Sequence, residues 1–400
     1  MRVVLIIFVV CLIILFFYCI NTNDFENSST NENFDYIATQ PTINNFVYFA
    51  TLTESVYNLT DKKKVSDNMD NSIVTNSDIK NNSTDIAKKF NSTSNLDKNT
   101  VSLIYGSENL AWINYYRSVF GVIGVASDDP TTAIIAFRGT LTNINWTANI
   151  DATTEKLNQI LNTDNDVLVH SGFIKLFALF SPLKSDNNCP CLEPCRASIF
   201  HDLKHRCKVS ETCQAKQKNS ITGVYSDSCN NEKDKPIDSM NIQILNWLNS
   251  NKNIKNVVIA GHSLGGALAT LAAVYVKATL DLNVSVYTYS SPKVGNEKFA
   301  EFYKKLGLDT SSFRFFNTND LVPKVPPGKN WIHVGIPYCL DYVPDVNTLK
   351  SCGYSSNSPL TREDYWHLIN SGYLGLCGSG NTEVYQKWVD VITNNKICLL

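Results

Sequence analysis

Two periodicities alternate along this chain. Residues 42–57 (TINNFVYFATLTESVY) place apolar side chains at helical spacing and predict one amphipathic helix. Short apolar runs rich in β-branched and aromatic residues predict strands at 113–116, 119–125, 132–137, 167–169, 256–260, 284–289 and 312–317. A turn at Asp128-Asp129-Pro130 separates the second from the third. Helical patterns cover 172–180, 237–249, 266–277 and 297–305. This alternation predicts an α/β protein with a mostly parallel sheet and helices on both faces. Three stretches break it. Residues 59–100 are mostly Asn, Asp, Lys, Ser and Thr, so too little apolar surface offsets the ordering entropy. They predict a disordered or loosely ordered Asn-rich insertion. Residues 181–236 carry a dense cysteine cluster. Residues 141–157 are polar with isolated apolar positions, among them Trp146, and suit a short helix over a cleft rather than a core element.

The most informative stretch is Gly261-His262-Ser263-Leu264-Gly265. It joins a predicted buried strand to a predicted helix. That context suits a sharp turn that projects a serine hydroxyl out of a sheet. The glycines remove β-carbons that would collide there. The N–H of Leu264 then lies at a helix N-terminus, where it can face a developing oxyanion. Ser263 is the candidate nucleophile. His262, inside the turn, is expected to pack beneath it. A second oxyanion donor is needed at the end of a neighbouring strand. Thr140, after Phe137-Arg138-Gly139, is well placed, although such a strand end is commonly a plain turn.

A serine nucleophile needs a general base, and the base needs an orienting carboxylate. Asp320 follows the strand at 312–317 in a short loop, where catalytic acids of parallel sheets lie. Asp341, Asp345 and Asp364 compete in less regular surroundings. Of the histidines, only His333 and His367 follow that acid, and the pattern alone leaves both open.

Composition narrows the class. The chain has 400 residues, 44% hydrophobic content and a formal charge of -2, which argue for a sizeable core and against nucleic acid as a partner. Residues 3–20 are unbroken apolar sequence after Arg2 and before Asn21, Asn23, Asp24 and Glu26. They read as a signal peptide or a signal anchor, and either places the rest on the non-cytosolic side. Twelve cysteines support that compartment. Outside the leader they form two even sets: Cys189, Cys191, Cys195, Cys207, Cys213 and Cys229, then Cys339, Cys352, Cys377 and Cys398. The first set reads as a disulfide-stapled excursion with a docking or stabilising role. The alternative is zinc held with His201 and His205. Asn-x-Ser/Thr triplets at Asn27, Asn58, Asn81, Asn82, Asn91, Asn145 and Asn283 fit a secreted glycoprotein.

Taken together, these motifs resemble the fungal-type class 3 lipases of the α/β-hydrolase superfamily. The resemblance rests on Gly261 to Gly266, Phe137-Arg138-Gly139-Thr140, Val169-His170-Ser171-Gly172-Phe173, Pro292-Lys293-Val294-Gly295-Asn296, Asn319-Asp320-Leu321-Val322-Pro323 and Trp366-His367-Leu368 to Cys377. It covers about residues 40–57 and 110–380, within a domain expected over 40–395. It implies Ser263 as nucleophile, His367 as base, Asp320 as orienting acid, Thr140 and Leu264 as oxyanion donors, and a lid from 141 to about 151 with Trp146 as its tryptophan. It implies acylglycerol hydrolysis at a lipid–water interface, by a monomer, with no metal or cofactor. Phospholipase A1, polysaccharide-ester hydrolase or other carboxylesterase activity is the near alternative, and an inactive lipase-like binding protein the distant one. Three features depart from the family: threonine at the oxyanion position, the insertion at 181–236, and an acceptor triplet at Asn145 inside the lid.

Overall fold

The computed structural model of this chain describes residues 36–60, 73–107, 117–141, 153–178, 238–343, 366–375 and 382–398. In chain order, the elements begin with α1 (Ile43–Tyr57), α2 (Asn76–Asn81) and α3 (Asp85–Ser94). Then come β1 (Ser102–Ser107), β2 (Arg117–Val125), β3 (Thr132–Phe137), β4 (Thr154–Lys156), β5 (Leu168–His170) and α4 (Ser171–Ala178). The second half holds α5 (Met240–Ser250), β6 (Asn256–His262), α6 (Leu264–Leu280), β7 (Asn283–Tyr289), α7 (Glu297–Lys305) and β8 (Ser312–Asn317). It ends with β9 (Ile336–Leu340), α8 (Ile369–Gly372) and α9 (Thr382–Thr393).

Seven strands form one sheet in the order β1-β2-β3-β6-β7-β8-β9. The first three pair antiparallel, and β3 through β9 run parallel. The antiparallel pair β4–β5 stands apart. The period-2 rule divides the side chains of β7 between two layers. Val284 and Val286 face a core built with Phe173, Phe177, Ile244, Leu268, Leu271 and Phe299 from α4, α5, α6 and α7. Tyr287 and Tyr289 face α1, where Phe49 lies 4.6 Å from Tyr287 and Phe46 lies 5.5 Å from Tyr289 between ring centroids. Phe46 also meets Phe315 and Trp388. The α6 sequence is apolar nearly all round because the helix is buried nearly all round, as expected for a central crossover element.

Most predicted elements appear within a few residues of their expected bounds; the strand expected at 113–116 lies outside the described residues. The disordered insertion at 59–100 needs correction. Residues 61–72 lie outside the described residues, but 76–94 form α2 and α3. Thr75 caps α2 reciprocally with Asp78, and Thr84 caps α3 by accepting from the Ala87 N–H. Ile79, Ala87 and Phe90 are buried, and α3 packs against α1. Two caps and three apolar anchors suffice where average composition suggested nothing would hold. Edge strands β1 and β9 and helix α9 were not anticipated, nor was β4, which falls in the stretch 141–157 where a short helix was expected. Cys339 pairs with Cys398 at a Cα separation of 5.9 Å, tying β9 to the segment after α9. Residues 3–20, the cluster at 181–236, Cys352 and Cys377 lie outside the described residues.

Candidate active site

Strand β6 ends at His262 and α6 begins at Leu264, so Ser263 carries the whole change of direction. Its φ is 57° and its ψ -127°, a region sparsely populated by residues with a β-carbon. The turn is also crowded. A β-carbon on Gly261 would lie 2.1 Å from the Gly265 carbonyl oxygen, and one on Gly265 would lie 2.4 Å from the Phe137 carbonyl oxygen. The end of β3 is thus pressed against the elbow. Arg138, fully buried, holds it there. Its Nε donates to the Val119 carbonyl at 2.7 Å, its Nη1 to the Gly139 carbonyl at 2.6 Å and its Nη2 to Ser118 Oγ at 2.7 Å.

The Ser263 hydroxyl meets His367 Nε2 at 3.0 Å, and His367 Nδ1 meets Asp320 Oδ2 at 3.0 Å. Ser263, Asp320 and His367 are 1%, 2% and 4% exposed. Burial pushes the Asp320 carboxyl up. The facing imidazole, with hydrogen bonds from His367, Ser290 and the Val322 N–H, outweighs burial and holds the carboxyl below its usual value. An ionised carboxylate only accepts, so the ring proton of His367 sits on Nδ1. Nε2 is then left with a lone pair toward the Ser263 hydroxyl. Three distant segments are brought together for this: the elbow, the loop after β8, and the turn before α8. Trp366 anchors the last by donating from Nε1 to the Tyr342 carbonyl at 3.1 Å, and Trp388 by donating to the Gly372 carbonyl at 2.9 Å.

A second hydrogen-bonded relay, unforeseen from the sequence, runs beneath the first. The Gly139 N–H donates to Tyr57 Oη at 2.7 Å, and that hydroxyl meets His262 Nδ1 at 2.7 Å. His262 Nε2 meets the carbonyl of His367 at 2.7 Å. A carbonyl can only accept, so Nε2 carries the proton of the neutral ring and Tyr57 donates to Nδ1. This relay ties α1, the residue before Thr140, the elbow and the backbone of His367 into one unit. Burial, reinforced by neighbouring His367, pushes His262 down to about 3.

His333 is likewise held well below its usual value by burial and by nearby Arg314, while its Nε2 donates to the Pro323 carbonyl at 2.7 Å. Both histidines are neutral when folded and protonate near 6.5 when unfolded, so acid favours the unfolded chain. Their contribution is complete above pH 6.5 and declines as pH falls. Between pH 7.5 and 5, His262 should cost about 2 kcal/mol of stability, and His333 should act in the same direction. Urea unfolding at the two pH values checks this: His262→Gln and His333→Gln should each flatten the pH dependence, and an unchanged slope in both contradicts it.

Of the competing acids, Asp341 is the one among the described residues, and it is placed elsewhere. Asp341 accepts from Thr318 Oγ1 at 2.7 Å near the surface. Asp345 and Asp364 lie outside the described residues, as do residues 142–152 with Trp146 and the expected lid. Thr140 follows Gly139 at the end of β3. Leu264 opens α6, where a helix's first N–H groups have no intrahelical acceptor.

The family profile described as Lipase (class 3) matches residues 134–330. A secreted mono- and diacylglycerol lipase A of Penicillium cyclopium is 41% identical over 83 residues, 20% of this chain and 26% of that protein. The chloroplastic phospholipase A1-Igamma2 of Arabidopsis thaliana is 26% identical over 285 residues, 64% of this chain and 43% of that protein. The matches therefore span about a quarter and about two fifths of the length of these curated relatives. The crystal structure of a lipase from Rhizopus microsporus var. chinensis aligns at a TM-score of 0.41 and 19% identity, covering 76% of this chain and 77% of that one. With the parallel sheet and the strand–elbow–helix unit in hand, the matched segment 134–330, which holds the elbow and Asp320, is that of a class 3 lipase of the α/β-hydrolase superfamily.

Proposed function

We propose that the chain hydrolyses carboxylic esters of acylglycerols through an acyl-enzyme on Ser263. The observation that carries this reading is the buried Ser263–His367–Asp320 hydrogen-bond chain at a strained elbow. Ser263 Oγ attacks the ester carbonyl while His367 Nε2 takes its proton. The N–H groups of Thr140 and Leu264 receive the oxyanion. His367 then returns the proton to the leaving alcohol, and the ester C–O bond breaks. Water, deprotonated by the same nitrogen, attacks the acyl carbon, and the fatty acid leaves as Ser263 recovers its proton. Asp320 holds the ring and stabilises its charged form.

The wider setting follows the same reading. On this reading the catalytic domain runs over 40–395, with the cysteine-rich stretch at 181–236 as an insertion in its sequence. Extracellular location is supported by the Cys339–Cys398 disulfide and by the Penicillium relative, which is named as secreted. Among the described residues no helix is long and apolar enough to cross a membrane.

Phospholipase A1 activity is the second reading. It is favoured by the length of the match to the Arabidopsis protein of that name. A panel of di- and triacylglycerol, phosphatidylcholine and soluble short-chain esters decides between them. The first reading predicts acylglycerol turnover that jumps once substrate forms an interface, and loss of all turnover in Ser263→Ala. Preference for phosphatidylcholine would replace it with the second.

A further inference from the structure

The hydroxyl of Ser290 lies inside the catalytic hydrogen-bond chain, and no step above uses it. Ser290 follows β7 and is fully buried. Its φ is 55°, in the left-handed region where a β-carbon is strained and glycine is at ease. Its backbone is fixed there by an N–H donated to the Phe315 carbonyl at 2.8 Å. Glycine would satisfy that backbone better than serine does, so the side chain is present at a conformational cost.

The side chain meets both partners of the base-orienting pair. Ser290 Oγ donates to Asp320 Oδ2 and lies 2.8 Å from His367 Nδ1. Asp320 Oδ2 lies 3.0 Å from the same nitrogen. The carboxylate can only accept, so the hydroxyl hydrogen points to it. The oxygen's lone pairs are then left toward Nδ1–H, which has two acceptors rather than one. We propose that Ser290 is a positioning residue whose hydroxyl is a second acceptor for the ring N–H of His367. It rests on the reading of His367 as general base. No bond to hydrogen is exchanged: the hydroxyl keeps its proton, and Nδ1 keeps its own. Its effect is on the tautomer and tilt of the ring, hence on how squarely Nε2 faces the Ser263 hydroxyl.

Two acceptors for one donor make a redundant device with a specific signature. While Asp320 is present, loss of the Ser290 hydroxyl leaves the ring oriented by the carboxylate. Without Asp320, the hydroxyl is the remaining acceptor, so its loss costs more. Neighbours therefore couple rather than add.

The test is a double-mutant cycle in the full chain, measuring kcat, KM and melting temperature with a soluble short-chain ester. Ser290→Gly should keep or raise the melting temperature, leave KM within about twofold, and lower kcat about fivefold to tenfold. Ser290→Ala should lower kcat equally without the gain in stability. In the Asp320→Ala background, Ser290→Gly should lower kcat by a clearly larger factor, about 50-fold. An unchanged kcat in both backgrounds, or the same factor in both, overturns the proposal. Ser263→Ala is run alongside. If that variant retains turnover, the catalytic reading itself fails. An inactive Ser263→Ala beside a fully active Ser290→Gly overturns only the role of Ser290.

Discussion

His367→Ala is expected to lower kcat by roughly 10⁴–10⁶-fold while KM and the unfolding midpoint change little. The size follows from the geometry. Nε2 is 3.0 Å from the Ser263 hydroxyl. Without the imidazole, nothing described there takes the proton as the oxygen attacks. The effect falls on kcat because the ring acts only once the hydroxyl begins to lose its proton. Asp320→Asn should cost less, about 10³–10⁴-fold, because the base remains and only the carboxylate that orients the ring and stabilises its charged form is lost. The fold should survive His367→Ala, since the backbone of the turn is held independently by His262 at the His367 carbonyl and by Trp366. Steady-state kinetics on a soluble ester, with circular dichroism on the same samples, checks this. A His367→Ala enzyme within tenfold of the parent would contradict it, as would equal losses in KM and kcat.

Gly261→Ala is expected to destabilise the fold by about 3 kcal/mol or more, or to prevent soluble expression. A β-carbon at this position meets the Gly265 carbonyl oxygen at 2.1 Å and the Gly266 nitrogen at 2.9 Å. Both obstacles are backbone, so no side chain can rotate away. To make room, α6 would have to leave the end of β6, and β6 pairs with β3 and β7 at the middle of the sheet. Gly307→Ala separates crowding from backbone preference. Gly307 has φ 75° with nothing within 4 Å of its added β-carbon. It should cost only about 1 kcal/mol, from the positive φ alone. Urea midpoints of the two variants measure the contrast. Equal stabilities would mean the elbow is less crowded than its geometry requires.

These two predictions draw on parts of the site that were unequally visible in the sequence. The elbow was legible because its signal is local: an apolar run, two glycines around x-Ser-x, and a helix-forming stretch, all within a few residues. Asp320 was legible because it follows a strand into a short loop. His367 and His333 were not separable by pattern. Their partners distinguish them, with His367 against Ser263 and His333 bonded to the Pro323 carbonyl. Tyr57 and Ser290 were invisible as site residues. Tyr57 closes a helix 205 residues before its partner His262, and Ser290 sits 77 residues before His367. Nothing in their neighbourhoods marks them, since their roles come from the register of β7 and the docking of α1. The helices at 76–94 were misread for the opposite reason. Their stability is local, in caps at Thr75 and Thr84, but averaging over an Asn-rich stretch hid it. The edge strands β1 and β9 have a strand neighbour on one side only, and Gly106 and Pro337 interrupt their apolar runs.

Ester hydrolysis here requires Ser263 to be an activated nucleophile. The most direct measurement is labelling by an organophosphonate ester, followed by mass spectrometry of the peptides. The expected result is one adduct, on Ser263, formed in step with loss of ester hydrolysis and slowed at least about 10³-fold in His367→Ala. An unlabelled Ser263 in a preparation that hydrolyses esters, or labelling that proceeds equally fast without His367, would contradict it.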